Sequence, residues 1–205
     1  MNIGFIGSGH VGQALASLFA QAGHSIVLSN RHGVTSLQDV IARLGNSNIK
    51  AGTIEDAAAQ EIVVLAFPFN TLSQVQPKLL EGKLVIDATN YFPKRDGDLP
   101  EFIDHKIATS QYVANYFTGS RVVKAFNSFG VVDLPQLATL PAAKKIALPI
   151  AGAANDKTIV KNLITAIGFV PYDAGELKDS FKIQADSNIF GFEGTRPELI
   201  AKLKG

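Results

Sequence analysis

The chain contains no cysteine, so disulfides, thiolate nucleophiles and cysteine-ligated metal sites are excluded. Nor does any Asp or Glu precede Asp39. No lysine- or arginine-rich run occurs, and 19 basic against 18 acidic residues leave a net charge of +1. That balance argues against the clustered basic surface that nucleic-acid binding needs. No stretch reaches the roughly 20 apolar residues required to span a bilayer. A basic segment of the kind that opens a signal peptide is missing too. Met1 and Asn2 lead straight into Ile3-Gly4-Phe5-Ile6, which reads as a first strand, so a cytoplasmic location without membrane attachment is expected.

What is present suits a compact globule: 205 residues, 46% apolar and 18% charged. Short Val/Ile/Leu-rich runs alternate with helix-period segments. The expected strands are Asn2–Ile6, Ser25–Ser29, Asn48–Ala51, Glu61–Phe67, Lys83–Asp87, Arg121–Phe126, Lys145–Ile150 and Phe169–Asp173. Their lack of strict alternation fits strands covered on both faces. Between them, Val11, Leu15, Leu18, Phe19 and Ala22 form one helical face that stops at Gly23. Further helices are expected from a Thr35/Gln38 capping box to Gly45, over Glu55–Ala59, over Thr71–Leu80 with Pro77 as a kink, over Tyr112–Phe117, and along Ile159 to Ile167. This alternation predicts an α/β fold, a Rossmann-type doubly wound and mainly parallel sheet. Residues 1–127 are expected to form the nucleotide-binding domain. Residues 128–205 form a small extension that adds strands, closes the acceptor pocket and does not fold alone.

The first strand runs into Gly7-Ser8-Gly9-His10-Val11-Gly12, a complete G-x-G-x-x-G that opens an amphipathic helix. In that context Gly7 serves a tight turn, Gly9 lets backbone approach a pyrophosphate, and Gly12 allows close helix–strand packing. The helix N-terminus then offers free N–H groups to phosphate. A plain strand-to-helix turn is the other reading. The ring of His10 is read as overlying the cofactor rather than as catalytic.

An NAD site normally carries an acid about 20 residues further on, for the ribose hydroxyls. Here the second strand ends Ser29-Asn30-Arg31-His32. Ser29 and Asn30 can donate hydrogen bonds to a 2′-phosphate, and Arg31 can pair with it, so NADP(H) is expected in preference to NAD(H). The alternative is that Arg31 and His32 are ordinary residues of a polar turn.

In a doubly wound sheet, ligands gather at the carboxyl ends of the strands. The fourth strand ends Ala66-Phe67-Pro68-Phe69-Asn70-Thr71, where Phe67 and Pro68 can wall a nicotinamide and Thr71 opens the next helix. The fifth ends Ala88-Thr89-Asn90, and the sixth ends Asn127-Ser128-Phe129, a candidate substrate contact. Each can equally be a strand-end turn, where Asn, Ser and Pro are common. The four histidines, at 10, 24, 32 and 105, lack ligand spacing, so no metal is expected.

Together, GFIGSGHVGQALA, SNR, VVLAFP, VIDATN, VVKAFNS and DAGEL, in that order over residues 1–178, carry a family resemblance. The chain resembles NADPH-dependent oxidoreductases of the coenzyme F420-dependent NADP reductase family, to which the reductase domain of STEAP metalloreductases is related. The resemblance implies a Rossmann domain, NADP(H) at the glycine loop and Ser29-Asn30-Arg31, and a homodimer. It also implies a nicotinamide near Ala66-Phe67-Pro68 and Asn90, facing a flavin or deazaflavin (F420) ring. One departure stands out. Where the family runs into a final apolar helix after Gly175, Ser180–Gly194 is glycine-broken and reads as strand or loop.

Hydride transfer between stacked rings needs positioning more than proton chemistry, and no Ser/Lys/Tyr or His/Asp constellation stands out. The expected function is an NADP(H)-dependent oxidoreductase acting on a small-molecule, flavin- or deazaflavin-like acceptor. Two alternatives stay open. One is a non-catalytic NADP(H)-binding sensor or partner module. The other is an NADPH reductase of a small carbonyl or imine, whose proton donor would have to come from His10, Tyr91 or Tyr112.

Overall fold

The computed structural model describes residues 1–103, 106–128, 130 and 134–204. The first half alternates strand and helix: β1 (Asn2–Ile6), α1 (His10–Gln21), β2 (Ser25–Ser29), α2 (Gln38–Leu44), β3 (Ile49–Ala51), α3 (Ile54–Ala58) and β4 (Ile62–Leu65). There follow β5 (Leu84–Asp87), α4 (Pro93–Asp96), α5 (Pro100–Ile103), α6 (Thr109–Tyr116) and β6 (Arg121–Lys124). The chain continues with α7 (Leu134–Ala138), β7 (Ala147–Gly152), α8 (Ala154–Ala166), β8 (Val170–Gly175) and α9 (Arg196–Lys204).

These strands form one eight-stranded sheet in the order β3-β2-β1-β4-β5-β6-β7-β8. All neighbours are parallel except β6 and β7, which run antiparallel and share only the pairs Val123↔Gly152 and Lys124↔Ala151. The strand order reverses between β1 and β4. That leaves a crevice above their carboxyl ends, where no helix covers the sheet.

The unbroken apolar runs now have their reason. β4 and β5 are buried at every position because both sheet faces are covered. On one face α1 and α8 bury Leu15, Phe19, Val160 and Leu163 against Phe5, Ile26 and Leu148. On the other, Val63, Val85, Phe69, Val113 and Phe117 form a second core. A third cluster joins Ala147 and Ala151 of β7 to Ile183, Ile189 and Leu199 of the C-terminal segment.

Several expectations change. The helix expected over Thr71–Leu80 is two 3₁₀ turns, Phe69–Gln74 and Pro77–Leu80, because Pro77 has no N–H to continue a helical ladder. Thr35 makes no cap hydrogen bond. Residues 34–37 form a 3₁₀ turn, and α2 begins only at Gln38. The sixth strand stops at Lys124, two residues early, because Phe126 adopts a left-handed backbone (φ 60°) that turns the chain out of the sheet. Among the described residues after Gly175 there is no strand: Leu177–Ile183 is a 3₁₀ turn, and the helix α9 follows. Its start was marked by a Thr-x-x-Glu pattern, since Thr195 donates through N–H and Oγ1 to Glu198, both at 2.7 Å. Among the described residues no helix is long and apolar enough to cross a membrane.

Candidate functional site

The three glycines of the loop are glycines for different reasons. A Cβ on Gly7 would lie 2.2 Å from the Ala66 carbonyl oxygen, and Gly7 itself has φ 115°. A Cβ on Gly12 would lie 2.1 Å from the Gly7 carbonyl oxygen. Packing alone therefore demands both. Gly9 differs, because a Cβ there would meet nothing within 4 Å. It caps α1 and has no side chain to offer, so the first-turn N–H groups gain no side-chain cap. The fold leaves room at Gly9 that it does not use. Gln13 steadies the loop by donating to the Ser8 carbonyl at 2.7 Å, and Arg43 donates to Gln13 at 3.2 Å.

At the end of β2 the residues divide. Ser29 is fully buried, and its hydroxyl donates to the Phe5 carbonyl at 2.8 Å. The sequence expectation that Ser29 would donate to a ligand is thus corrected: its proton is taken by the neighbouring strand. Asn30 binds the two halves of the cleft together. Its Nδ2 donates to Ser8 Oγ at 3.1 Å and to Ser36 Oγ at 3.0 Å, while its Oδ1 accepts from the His32 N–H at 2.8 Å. Arg31 and His32 are exposed, and Arg31 Nε donates to His32 Nε2 at 3.2 Å.

A cleft of about 540 Å³ opens above β1, β2 and β4. Gly7, Ser8 and Gly9 form its floor, Asn30, Arg31 and His32 one wall, and Ala66, Phe67, Pro68 and Thr71 the other. The structure thus brings together ten residues singled out in the sequence. Ile6, Ile54 and Val75 add apolar lining, and the polar Asn70, Gln74 and Arg95 line it too and were missed. Asn70 lay in a quoted stretch, whereas Arg95 sits in a segment without periodicity and gave no signal. Among the described residues no acid lines the cleft, and Arg31 and Arg95 lie on it, so the cleft is suited to anions. Of the remaining loop residues, His10 is exposed at the first position of α1, Val11 packs toward the core and Gly12 is buried.

The ends of β5 and β6 do not line the cleft. Ala88 and Thr89 are buried, and Thr89 donates through N–H and Oγ1 to Asp87 at 2.9 and 2.6 Å. Asp87 also accepts from Ser110 at 2.5 Å and pairs with the fully buried Lys124 at 3.2 Å. Lys124 reaches the Thr89 carbonyl at 2.5 Å. Burial pushes the Lys124 ammonium below its usual range, and Asp87 acts against that. Asn90 and Asn127 meet: Asn90 Nδ2 donates to the Asn127 carbonyl at 2.8 Å, and Asn127 Nδ2 to Asn90 Oδ1 at 3.2 Å. Asn127 Nδ2 also donates to the Ile183 carbonyl at 2.6 Å, and Ser128 accepts from the Gly191 N–H at 2.8 Å. The C-terminal segment is thereby pinned over the candidate substrate contacts. Phe129 and His105 lie outside the described residues.

Fold and site together define a Rossmann-type α/β protein with an acid-free cleft at its glycine loop. The resemblance read from the sequence is shown over residues 2–91, which match the family described as NADP oxidoreductase, coenzyme F420-dependent. It is also 24% identical over 184 residues to metalloreductase STEAP3 of Rattus norvegicus, covering 89% of this chain but only 36% of that protein. The chain therefore spans about a third of that curated relative. Among solved structures, a hypothetical protein from Sinorhizobium meliloti superposes with a TM-score of 0.81 at 27% identity, covering 94% of this chain and 95% of that one. A putative F420-dependent NADP reductase from Arthrobacter sp. FB24 shares the fold, with a TM-score of 0.71 at 20% identity over 86% of each chain.

Proposed function

We propose that this chain is an NADP(H)-dependent oxidoreductase that holds the dinucleotide in the cleft and passes hydride to a flat, flavin- or deazaflavin-like acceptor. The observation that carries the reading is the unused space at Gly9 beside an acid-free wall bearing Arg31. An added Cβ would fill that space, so the cradle fits a pyrophosphate resting on the loop and the N-terminus of α1.

In this reading Ser8, Gly9 and His10 present backbone N–H groups to the phosphates. Arg31 supplies the charge for a 2′-phosphate, and Asn30 keeps the wall and the loop in register through Ser8. Phe67 and Pro68 exclude water from one side. A dinucleotide held there would supply hydride chemistry, the acceptor ring gaining that hydride and a proton from water. The surrounding residues then have positioning to do rather than proton transfer, which suits a cleft lined, among the described residues, by no Asp, Glu, Lys or Tyr.

The test is a thermal-shift titration with NADPH and NADH side by side. Stabilisation by NADPH well beyond that by NADH is expected. Arg31→Glu should weaken NADPH by about 1 to 3 kcal/mol and leave NADH nearly untouched. Equal losses for both would remove the 2′-phosphate role, and no shift with either would remove the reading altogether. Tight NADPH binding with no flavin or deazaflavin reduced would leave a non-catalytic binding module instead.

A further inference from the structure

Beyond residues 2–91, where the family match ends, the mouth of the cleft carries a cation set among aromatic rings. Arg95 belongs to α4 and lines the cleft. Its guanidinium lies over the Phe92 ring, 5.0 Å from the centroid. Phe92 in turn meets Phe190 edge-on, with ring centroids 5.8 Å apart. Phe190 is 39% exposed and, among the described residues, is the one large apolar side chain besides the N-terminal Met1 that stands so far out into solvent.

None of this is a loose surface. Asp96, whose side chain is fully buried, accepts from Arg95 Nε and Nη2, each at 2.8 Å. Burial by itself would raise the Asp96 carboxyl. Bonds from Arg95 and from the Phe92 and Asn70 N–H groups outweigh it and hold the carboxyl below its usual range, so it stays charged. Arg95 Nη2 also donates to the Asn90 carbonyl at 2.5 Å. The guanidinium is thereby locked in one orientation, and its Nη1 carries no bond among the described residues. Phe190 is positioned by the next residue, whose N–H binds the Ser128 carbonyl. A rigid cation, an aromatic face and the strand ends carrying Asn90 and Ser128 thus share one rim.

We propose that Arg95, Phe92 and Phe190 form the acceptor-docking platform. It takes a planar aromatic ring bearing an anionic substituent, the ring stacking on the exposed Phe190 face and the anion pairing with Arg95 Nη1. This deepens the function proposed above and rests on it for the nature of the acceptor. Aromatic faces stack flat heterocycles, and a guanidinium fixed in advance loses little freedom when it meets an anion. The C-terminal segment, which departs from the apolar helix expected after Gly175, thereby carries Phe190 to the mouth of the cleft.

The test is fluorescence quenching of FMN and of riboflavin on titration with the full chain, without NADPH. The two ligands share a ring and differ in the phosphate. FMN is expected to bind about tenfold or more tighter than riboflavin. Arg95→Gln should bring FMN down to the riboflavin value, with Arg95→Lys in between. Phe190→Ala alters only an exposed side chain and should weaken both by a similar factor. Equal binding of the two by the wild type, or an unchanged ratio in Arg95→Gln, would overturn the platform. NADPH stabilisation with no flavin binding would overturn it as well and leave the cofactor reading standing. Loss of the NADPH shift itself would instead strike the parent reading.

Discussion

Gly9 and Gly12 stand three residues apart in one loop, yet an added methyl group should affect them in opposite ways. Gly12→Ala drives a Cβ to within 2.1 Å of a backbone oxygen that cannot move away. A loss of stability of about 3 kcal/mol or more is expected, read as a fall in melting temperature. Gly9→Ala meets nothing within 4 Å, so the apo melting temperature should hold or rise slightly while the NADPH shift collapses. If Gly9→Ala bound NADPH normally, the space there would not be a phosphate cradle. The motif G-x-G-x-x-G states three glycines in the sequence. Only the surroundings separate the two that packing needs from the one it does not.

At the scale of elements, ion pairs tie strands to helices and to one another. Lys157 and Lys161, one turn apart on α8, both donate to Asp173 on β8, at 2.5 and 2.9 Å. Burial would raise the Asp173 carboxyl. These two bonds and the Gly175 N–H prevail and hold it at about 2, against an ordinary 3.8. A carboxyl lowered in the folded state stabilises the protein above its unfolded value, and that stability drains away as pH falls through the folded one. Asp173→Asn should therefore cost about 1 kcal/mol near neutrality, a figure discounted because the site is partly exposed and screened. The gap between wild type and variant should close between about pH 4 and pH 2 in urea unfolding. A constant gap across that range would remove the ionic contribution.

The Asp87–Lys124 pair joins β5 to β6 in full burial. Lys124→Met would strand the Asp87 charge and should destabilise by about 3 to 5 kcal/mol. Adding Asp87→Asn should restore part of the loss, because the uncompensated charge goes with it. Urea unfolding of the single and double variants measures both. Neither partner was visible as one of a pair in the sequence, which contains VIDATN and VVKAFNS 37 residues apart. Parallel pairing of β5 with β6 sets Asp87 opposite Lys124.

At the scale of the whole molecule, the sheet runs unbroken from β3 to β8. The C-terminal segment packs Ile183, Ile189 and Leu199 onto β7, and it reaches back through Ile183 and Gly191 to the end of β6. The third core is therefore fastened to the first two through β6. Thermal unfolding followed by calorimetry and by near-UV tyrosine signals should give one coincident transition. Two separate transitions would mean that residues beyond β6 unfold by themselves.

Local chemistry is written into single segments, so it was legible in the chain. Apolar runs gave eight strands of a mainly parallel sheet, the glycine loop gave the first turn, and the lack of any acid before Asp39 gave the character of the cleft. Those signals need only residues close in sequence, and the physics behind them acts at that range. Other features depend on what distant segments bring into contact. Ser29 reads as a ligand donor until β1 takes its proton. Phe126 reads as strand until its backbone turns left-handed. Arg95 and Phe190, 95 positions apart, carry no shared signal at all. A side chain's free hydrogen bonds, the space beside a glycine and the partners at a rim are settled by packing, and packing exists only once the sheet has closed.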